Sequence, residues 1–561
     1  MFRKISAYLS DHPVQKHLFF LAVALMASFV SGYHFGTFDQ VFHITYLKKF
    51  VNPNLYPQDP FLTLRWYHFS YFWFPFIPLF KAGILEVSMF LIHVITVYGT
   101  VWMFWSLSDF LFKDNRANLL ITLALIFPHL GFPGFQIIEF SLLNRTFTLP
   151  FLLGSILLYL KDRKRWAFFL LGIMFNLHVI YAIFVLCMFL LNEAIQFDKK
   201  SWWKPLTNLT LFTLAGLPVL IWRMQTGTGI DLSLRPEMLK LAANGLLYSV
   251  YYPIGTSAVS IGNFLFGVGT LWGFILGYQH SSKATKHQTM RNFVFAIGIL
   301  LLIGTLTNNF LPITTLVQMQ ILRAGIFLLY FGMLYLSNFL CRQQDEAQLR
   351  KGSFAGVFAG FIIFLTPLFT ILLWGLFKKV RKVKRNHLWL GILVIAIQGF
   401  TAFTTLQSEL WAPGFHIHGP DTSWRDTQEW AGHNTSREAM FITPPHLFGN
   451  YTPDWRVFSE RSSVATIPEM MEIPFDPDFA ISFQKRFSAV APGAIESFNG
   501  DYMRSLDIAE GAYYSNTASD FRRLACEFSA DFLVTEQGHP YPFDLAYQNT
   551  GFLVYRLPNC D

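Results

Sequence analysis

Long apolar runs recur along the first 408 residues of this 561-residue chain. A membrane-spanning helix needs about 20 mostly apolar residues. Hydrophobic residues make up 53% of the chain and charged residues only 14%, whereas soluble proteins are about 25% charged. This composition excludes a disordered chain and an ordinary soluble enzyme. The runs predict membrane helices over residues 18–33, 85–107, 117–132, 147–160, 206–222, 261–278, 293–310, 322–340 and 388–403.

Two further apolar stretches, 166–194 and 354–377, are each too irregular for one span. The first is interrupted from Asn176 to His178, and the second at Pro367. Lys and Arg flank both ends of each stretch, and such residues concentrate on the cytoplasmic side of a membrane. We therefore expect two pairs of short helices that enter the membrane and return, as broken helices do where they line a protein cavity. The prediction is a polytopic α-helical membrane protein with about eleven to thirteen membrane helices.

Charge divides the chain into two parts. Residues 1–408 contain 33 Lys and Arg but 14 Asp and Glu, whereas residues 409–561 contain 10 and 21. The basic excess of the first part reflects membrane topology rather than nucleic-acid binding. With two returning pairs, the N-terminus is cytoplasmic, and the first outer loop (35–81) and the tail (409–561) lie on the opposite side. If either stretch is a single span instead, the tail lies in the cytoplasm.

The tail is predicted to be a small soluble α/β domain. Apolar runs bounded by Gly and Pro predict strands, and amphipathic runs predict helices. Cys526 and Cys560 can pair if the tail faces an oxidising compartment and if the two lie close together, which the sequence leaves open. The predicted strands are 438–443, 456–459, 531–535 and 552–557, and the predicted helices are 478–489 and 519–529.

No phosphate-binding glycine loop, dinucleotide fingerprint or metal-ligand spacing occurs in the sequence. Any chemistry must therefore come from acids and bases near the membrane surface. Asp39 lies a few residues beyond the first span, with Gln40 and His43 close by. A carboxylate at this position is suited to act as a general base. The alternative is that Thr37 or Asp39 caps an amphipathic helix that runs to Phe50.

Several other polar residues each admit two roles. Arg323 opens a later span, where it either holds a phosphate or extends to the membrane interface. Glu139 is close enough in sequence to pair with Arg145, for structure or for a site. His178 is either a satisfied buried histidine or a functional intramembrane group. Asp59 is either a turn residue or part of a site.

The order of these motifs resembles the GT-C superfamily of membrane glycosyltransferases, which includes protein mannosyltransferases, aminoarabinose transferases and oligosaccharyltransferases. A soluble domain follows the last span, as in that superfamily. The tail is similar to those of uncharacterised bacterial members in Trp424-Arg-Asp426, Phe441-Ile-Thr-Pro-Pro445 and Phe552-Leu-Val-Tyr555. The membrane part is similar in Gly36-Thr-Phe-Asp39-Gln40, Leu55-Tyr-Pro-Gln-Asp59, Phe175-Asn-Leu-His178 and Gln318-x-Gln320-x-x-Arg323.

The resemblance implies an inverting sugar transferase with a polyprenyl-phosphate-linked donor and a hydroxyl acceptor on a glycan, a lipid or a protein. It implies that Asp39 is the catalytic base and that Arg323 binds the donor phosphate. We also expect Arg145 to bind this phosphate. The residues expected to line the cavity are Gln40, His43, Asp59, Glu139, His178 and Gln320.

No metal and no cofactor is predicted, because Gln40 follows Asp39 where related mannosyltransferases often have a second acid. The expected partners are the lipid-linked donor, the acceptor and membrane lipids, and nucleic acid is not among them. The expected location is the bacterial cytoplasmic (inner) membrane, with the tail on the periplasmic side. Two other functions stay open: a transporter or flippase of lipid-linked glycans, and a non-catalytic partner in glycan assembly.

Overall fold

The computed structural model describes residues 2–197, 200, 203–226, 236–281, 285–311, 313–348, 411–420, 422–449, 452–558 and 560. Most of them are helical, and a small β-sheet lies near the C-terminus. The first helices are α1 (Phe2–Asp11), α2 (Pro13–Ser31), α3 (Gln40–Val51), α4 (Phe76–Lys81), α5 (Leu85–Phe112), α6 (Asn115–Ala124), α7 (Asn144–Leu160), α8 (Lys164–Phe175) and α9 (Val179–Ile195). They are followed by α10 (Trp203–Ala215), α11 (Leu217–Gln225), α12 (Pro236–Ala242), α13 (Tyr248–Tyr251), α14 (Ala258–Gln279), α15 (His287–Phe310), α16 (Thr314–Gln318) and α17 (Gly325–Gln348).

Several helices are long and apolar enough to cross a membrane, so the chain is a multi-pass integral membrane protein. Within the described ranges there are five, or up to six if the bent pair α10 and α11 forms one span. The predictions over 18–33, 85–107, 261–278, 293–310 and 322–340 are thereby confirmed. The predictions over 354–377 and 388–403 lie outside the described residues. The five are Pro13–Ser31, Leu85–Phe112, Ala258–Gln279, His287–Phe310 and Thr314–Arg342.

The last of these spans is the most enclosed. Its apolar window is entirely buried inside the protein, whereas less than half of the window is buried in each of the other four. The segment comprises α16, a 3₁₀ turn (Ile321–Ala324) and most of α17. The turn with Arg323 directly precedes this enclosed helix, and Arg323 itself is partly buried.

Three predicted spans differ from the structure. Helix α6 ends at Ala124, well before residue 132, because Pro128 disfavours the helical conformation of Phe127 before it. Helix α7 has 17 residues and contains Pro150, so it is shorter than a span of about 20 residues. The predicted span 206–222 is bent by 63° between α10 and α11.

The predicted break in 166–194 is present between α8 and α9. Asn176 connects this break to the bend between α10 and α11. Its Nδ2 donates to the carbonyl oxygen of Ala215 at 2.8 Å, and its Oδ1 accepts from the amide of Val219 at 3.1 Å. One side chain therefore satisfies backbone groups that two helix ends would leave unpaired inside an apolar region.

The tail is an α/β unit, as predicted. Its five-stranded sheet has the order β4-β3-β5-β7-β6. Strand β3 pairs in parallel with β4 and with β5, whereas β7 pairs antiparallel with β5 and with β6. The short strands β1 (Tyr33–His34) and β2 (Phe415–His416) pair in parallel and join the first outer loop to the tail. The sheet strands are β3 (Met440–Ile442), β4 (Ser462–Ser463), β5 (Phe532–Glu536), β6 (Asp544–Gln548) and β7 (Phe552–Arg556). The tail helices are α18 (Ser423–Asn434), α19 (Trp455–Ser459), α20 (Pro477–Val490), α21 (Ala494–Ser497), α22 (Tyr502–Tyr514) and α23 (Ala518–Phe528).

One predicted strand of the tail, 456–459, is wrong. These residues form helix α19, and the side chain of Asp454 caps it by accepting from the amide of Arg456. A disulfide joins Cys526 on α23 to Cys560, with 5.3 Å between their Cα atoms. The pairing that the sequence left open is therefore present, and it fixes the C-terminal end of the chain to the last helix.

The first outer loop and the tail share one apolar core. Phe42 and Phe61 of the loop are buried in the same cluster as Val457 and Met470 of the tail. The hydroxyl of Tyr56 donates to the carbonyl oxygen of Arg456 at 2.8 Å. The tail is thus packed directly on the loop that contains Asp39.

Candidate functional site

Asp39 lies at the start of α3, but its side chain does not cap the helix. Its backbone is already helical (φ −62°, ψ −15°), and its carboxylate accepts no hydrogen bond from the helix amides. Phe38 before it has φ 50°, a left-handed conformation that is uncommon for a bulky residue. The Phe38 ring lies 6.1 Å from Phe448 and 5.6 Å from Phe140, between ring centroids. This packing holds a strained turn that directs the Asp39 carboxylate away from α3.

Arg145 binds the carboxylate of Asp39. The residue lies in the first turn of α7, and its guanidinium forms an ion pair with Asp39 through Nη1. The same group binds Glu139 with two parallel hydrogen bonds, from Nε at 2.7 Å and from Nη2 at 2.6 Å. Bidentate pairs of this kind fix geometry as well as charge. One arginine therefore holds two carboxylates, and the Asp39 side chain remains 14% exposed.

Arg323 and Arg145 both contact the ring of Phe135. The guanidinium carbon of Arg323 is 4.7 Å from the centroid of Phe135, and that of Arg145 is 5.2 Å from it. Among the residues that the structure describes, Arg323 has no carboxylate and no hydrogen-bond acceptor, and its Nε is buried without a partner. Two arginines thus meet on one ring, but only Arg145 forms direct ion pairs, and the charge of Asp39 acts on Arg323 from a longer distance. A guanidinium without a hydrogen-bond acceptor can bind an anion, because its planar fork matches carboxylate and phosphate oxygens.

A cavity of about 290 Å³ lies near this cluster, and its lining includes chain neighbours of the cluster rather than Asp39, Arg145 or Arg323 themselves. Asn144, the neighbour of Arg145, lines it, together with Gln318 from the segment that leads to Arg323. Its polar end includes His43 and His178, and its apolar wall comes from α9 and α11 through Val179, Ile180, Ile183 and Leu220. The volume is close to the lower end of ligand pockets, which span roughly 300–1,000 Å³.

Two of the six residues predicted to line the cavity, His43 and His178, line this one. His43 is stacked on Trp73 with 4.5 Å between ring centroids. His178 caps α9, because its Nδ1 accepts from the amide of Tyr181 at 3.1 Å. Each ring is therefore held in a defined orientation at the edge of the cavity.

Gln40 and Gln320 make structural hydrogen bonds instead. Gln40 accepts from the amide of Gly36 at 2.8 Å and donates to the carbonyl oxygen of Leu142 at 2.9 Å. Gln320 donates to the hydroxyl of Tyr251 at 3.0 Å. Both side chains are buried, and they hold the Asp39 loop and the Arg323 turn in place.

The expectation that Asp59 lines the cavity needs correction. Its carboxylate is fully buried and receives two hydrogen bonds from Arg456, from Nε at 2.6 Å and from Nη2 at 3.2 Å. Glu469 joins this network, at 2.9 Å from both Arg456 and Arg486. Burial alone would lower the pKa of Arg456, but Asp59 and Glu469 raise it well above its usual value. Asp59 is therefore part of a buried ionic bond between the outer loop and the tail.

The sequence did not predict the roles of two residues, Phe135 and Arg456. Phe135, whose ring both arginines contact, lies in a loop rich in aromatic and Gly residues. No sequence pattern distinguishes it from the other aromatic residues of that loop. Arg456 stands in an apolar run that suggested a strand. A single charged residue in an apolar run indicates a buried ion pair, because Arg is rarely buried without a partner. The sequence therefore contained a signal for the pairing of Arg456.

Comparison with known proteins finds solved structures of similar fold but no protein family that matches the chain. No family model matches the chain, and no curated protein matches it. The archaeal oligosaccharyltransferase AglB from Archaeoglobus fulgidus, in complex with an inhibitory peptide and a dolichol-phosphate, is similar over 93% of this chain and 69% of its own, at 12% identity and a TM-score of 0.46. The Archaeoglobus fulgidus oligosaccharyltransferase in complex with Zn and sulfate is similar over 92% of this chain and 68% of its own, at 13% identity and a TM-score of 0.36. At these values the likeness assigns no function to this chain.

Proposed function

We propose that this protein is a membrane glycosyltransferase, which moves a sugar from a polyprenyl-phosphate-linked donor to a hydroxyl of a glycan, lipid or protein. The observation that carries the proposal is the guanidinium of Arg323, which has no ion-pair partner within the described residues and contacts the same ring as the arginine that holds Asp39. An anion site, a reachable carboxylate and an apolar cavity are then adjacent. A lipid-linked phosphosugar requires all three.

Arg323 binds the donor phosphate in this proposal. Its planar guanidinium can meet two phosphate oxygens at once. When the bond between the sugar and the phosphate oxygen breaks, negative charge grows on the leaving phosphate. A fixed cation at that position stabilises the transition state more than the ground state. The isoprenoid chain lies along the apolar wall formed by α9 and α11.

Asp39 acts as the base. It takes the proton of the acceptor hydroxyl while that oxygen forms its bond to the anomeric carbon, from the side opposite the leaving phosphate, so the configuration inverts. Arg145 orients Asp39. Pairing with an arginine weakens a carboxylate as a base, but Arg145 shares its charge with Glu139 through two hydrogen bonds. We therefore assign Arg145 to positioning rather than to the phosphate.

The proposed location is the bacterial cytoplasmic membrane, with the site and the tail on the periplasmic side. The Cys526–Cys560 disulfide supports this orientation, because such bonds persist in oxidising compartments. The Lys and Arg excess of the membrane part supports a cytoplasmic N-terminus.

A transfer assay tests the proposal. Purified protein is incubated with a panel of radiolabelled polyprenyl-phosphate sugars and acceptors extracted from membranes. We expect label to move with wild type and with Asp544→Asn, an exposed control, but not with Asp39→Asn. Transfer by Asp39→Asn at the wild-type rate would remove Asp39 from the mechanism. Donor binding without transfer under any condition would favour a transporter or an assembly partner.

A further inference from the structure

The strand order of the tail sheet contains a point where its connections diverge. Strand β3 comes first in the chain, β4 lies on one side of it and β5 on the other, and all three are parallel. The connection after β3 leads to β4, whereas the connection after β5 leads to β6 on the far side of the sheet, so these two connections leave in opposite directions. In open sheets of this kind, ligands bind outside the carboxyl ends of the strands where the connections diverge. In this tail, that position lies beyond the ends of β3 and β5.

Three side chains with metal-ligating groups meet there. His446 follows β3, Glu536 is the last residue of β5, and Glu510 belongs to α22. One ligand atom from each lies within 4.8 Å of the other two. The three come from separate segments of the chain, so no sequence spacing reveals them.

The distance between two of these groups suits a shared cation better than a hydrogen bond. Nε2 of His446 is 3.4 Å from Oε2 of Glu536, beyond the roughly 2.7–3.2 Å of an N–H···O bond. Two ligand atoms on one tetrahedral Zn²⁺, with bonds of about 2.0–2.2 Å, are about 3.3–3.5 Å apart. Nδ1 of His446 is buried and has no partner within the described ranges, and the side chain is only 10% exposed. Nδ1 is therefore unsatisfied within the described residues, and Nε2 makes only a long contact with Glu536.

Glu536 is oriented by its neighbour Tyr514. The Tyr514 hydroxyl donates to Oε2 of Glu536 at 2.9 Å and accepts from the Glu536 amide at 3.0 Å. The Tyr514 ring is stacked on His539, with 3.6 Å between centroids. Supporting contacts of this kind orient the carboxylates of metal sites. The Glu536 side chain is also 33% exposed, which leaves access for a cation and a water ligand.

We propose that His446, Glu510 and Glu536 bind a divalent transition-metal cation, Zn²⁺, with water as the fourth ligand. Zn²⁺ binds His nitrogen and carboxylate oxygen ligands, and open zinc sites combine three protein ligands with a water. Ca²⁺ and Mg²⁺ prefer ligand sets made only of oxygen. The two carboxylates neutralise the cation. The site lies outside the proposed transfer chemistry and does not depend on it, and it departs from the expectation of no metal.

Zn²⁺ binding to the full chain tests this inference. Protein without a histidine tag is purified in detergent, stripped with EDTA, and titrated with Zn²⁺ by equilibrium dialysis and elemental analysis. We expect about one ion per chain for wild type and for the exposed controls His433→Ala and Glu496→Gln. We expect at least a tenfold loss of affinity for Glu510→Gln and His446→Ala. Tyr514→Phe should weaken binding by about 10- to 100-fold, since it removes the group that orients a ligand.

A second measurement keeps the test independent of folding defects. Zn²⁺ should raise the Tm of wild type and both controls, because a ligand that binds only the folded state stabilises it. The shift should be absent in Glu510→Gln, whose metal-free Tm and elution volume should equal those of wild type. Absence of stoichiometric Zn²⁺ on wild type, or equal affinity in wild type and both ligand variants, would overturn the inference.

Discussion

Arg145 and Arg323 share one aromatic ring but differ in how their charges are met. Arg145 has two carboxylate partners, whereas Arg323 has none in the described part of the chain. A protein that needed both only for structure would gain stability from a partner for the second. The absence of a direct partner for Arg323 in the described residues agrees with the proposed role of this arginine in binding an anion. Binding sites of this kind trade stability for function.

Arg323→Gln separates these two contributions. The substitution removes an unpaired charge, so we expect the Tm of the ligand-free protein to stay equal or rise. It also removes the phosphate contact, so we expect kcat/KM for sugar transfer to fall by about 10²- to 10³-fold. Arg323→Lys keeps the charge without the planar fork and should recover part of the activity. A large drop in Tm would show instead that Arg323 is a structural residue.

His34 provides a pH-dependent contribution to stability. It is stacked on His416 at 4.2 Å in the pairing of β1 and β2. Burial lowers its pKa from 6.5 to about 4; a hydrogen bond to the carbonyl of Gly32 opposes this, and His416 adds to it. Above pH 6.5 neither state binds the proton. Between pH 6.5 and about 4, the unfolded chain binds it and the folded chain does not, so stability falls as the pH falls.

His34→Phe tests that contribution. At pH 5 the loss from His34 amounts to about 2 kcal/mol relative to pH 7.5. Phe retains an aromatic ring but cannot titrate, so its Tm should decrease less than that of wild type between these two pH values. The exposed control His433→Phe should follow wild type. Equal decreases for wild type and His34→Phe would rule out His34 as a source of the pH dependence.

Close helix packing positions the segment with Arg323. A Cβ at Gly277 on α14 would lie 2.4 Å from the carbonyl oxygen of Tyr335 on α17. Small residues allow helix backbones to approach closely in membrane proteins. Helix α17 directly follows the 3₁₀ turn with Arg323, so its placement against α14 sets where that turn lies.

Gly277→Ala should therefore destabilise the protein by about 1–3 kcal/mol, the usual cost of overpacking. Gly262 is the matched control on the same helix, because a Cβ there meets nothing within 4 Å. Gly262→Ala should be neutral or stabilising by up to about 1 kcal/mol, since Ala favours helix more than Gly. Thermal unfolding in detergent measures both, and equal Tm values would contradict the packing described.

The outer loop and the tail act as one unit, because a buried ionic network and an apolar core connect them. Arg456 is the centre of the network, and it contacts Asp59, Asp454 and Glu469. The loop after β3 reinforces the connection. It contains His446 of the proposed metal site and Phe448, whose ring stacks on Phe38 beside Asp39. The position of the tail is thus coupled to that of the proposed base.

Arg456→Met should destabilise the folded protein by about 3–5 kcal/mol, because it leaves buried carboxylates without a counter-charge. Arg523→Met is the control, since the Arg523 side chain is 62% exposed in its pair with Asp520. Exposed pairs contribute about 0–1 kcal/mol. We expect a lower Tm and faster proteolysis of the tail in Arg456→Met alone. Unchanged proteolysis would mean that the tail is held to the loop by other contacts.

The sequence predicted what depends on local patterns. Apolar runs identified the long spans, and Asn176 to His178 identified a break, since a polar interruption disfavours a continuous membrane helix. The run 456–459 was misassigned because four residues hold too little periodicity to distinguish a helix from a strand. The pairing of Asp59 with Arg456 spans 397 positions, and such pairing is created by tertiary packing alone. The order of the motifs pointed to Asp39 and Arg323 as site residues. The contact of both arginines with Phe135 became visible only in the structure, because tertiary packing creates it.

Direct binding of a polyprenyl phosphate tests the central claim, because it needs neither the correct sugar nor an acceptor. Purified wild type, Arg323→Gln and Asp39→Asn are incubated with radiolabelled polyprenyl phosphate, and unlabelled polyprenol serves as the competitor without a phosphate. We predict saturable binding to wild type and to Asp39→Asn, a loss of at least tenfold in affinity for Arg323→Gln, and weak competition by polyprenol. Equal affinity in wild type and Arg323→Gln, or equal competition by polyprenol and the unlabelled phosphate, would contradict a phosphate site at Arg323.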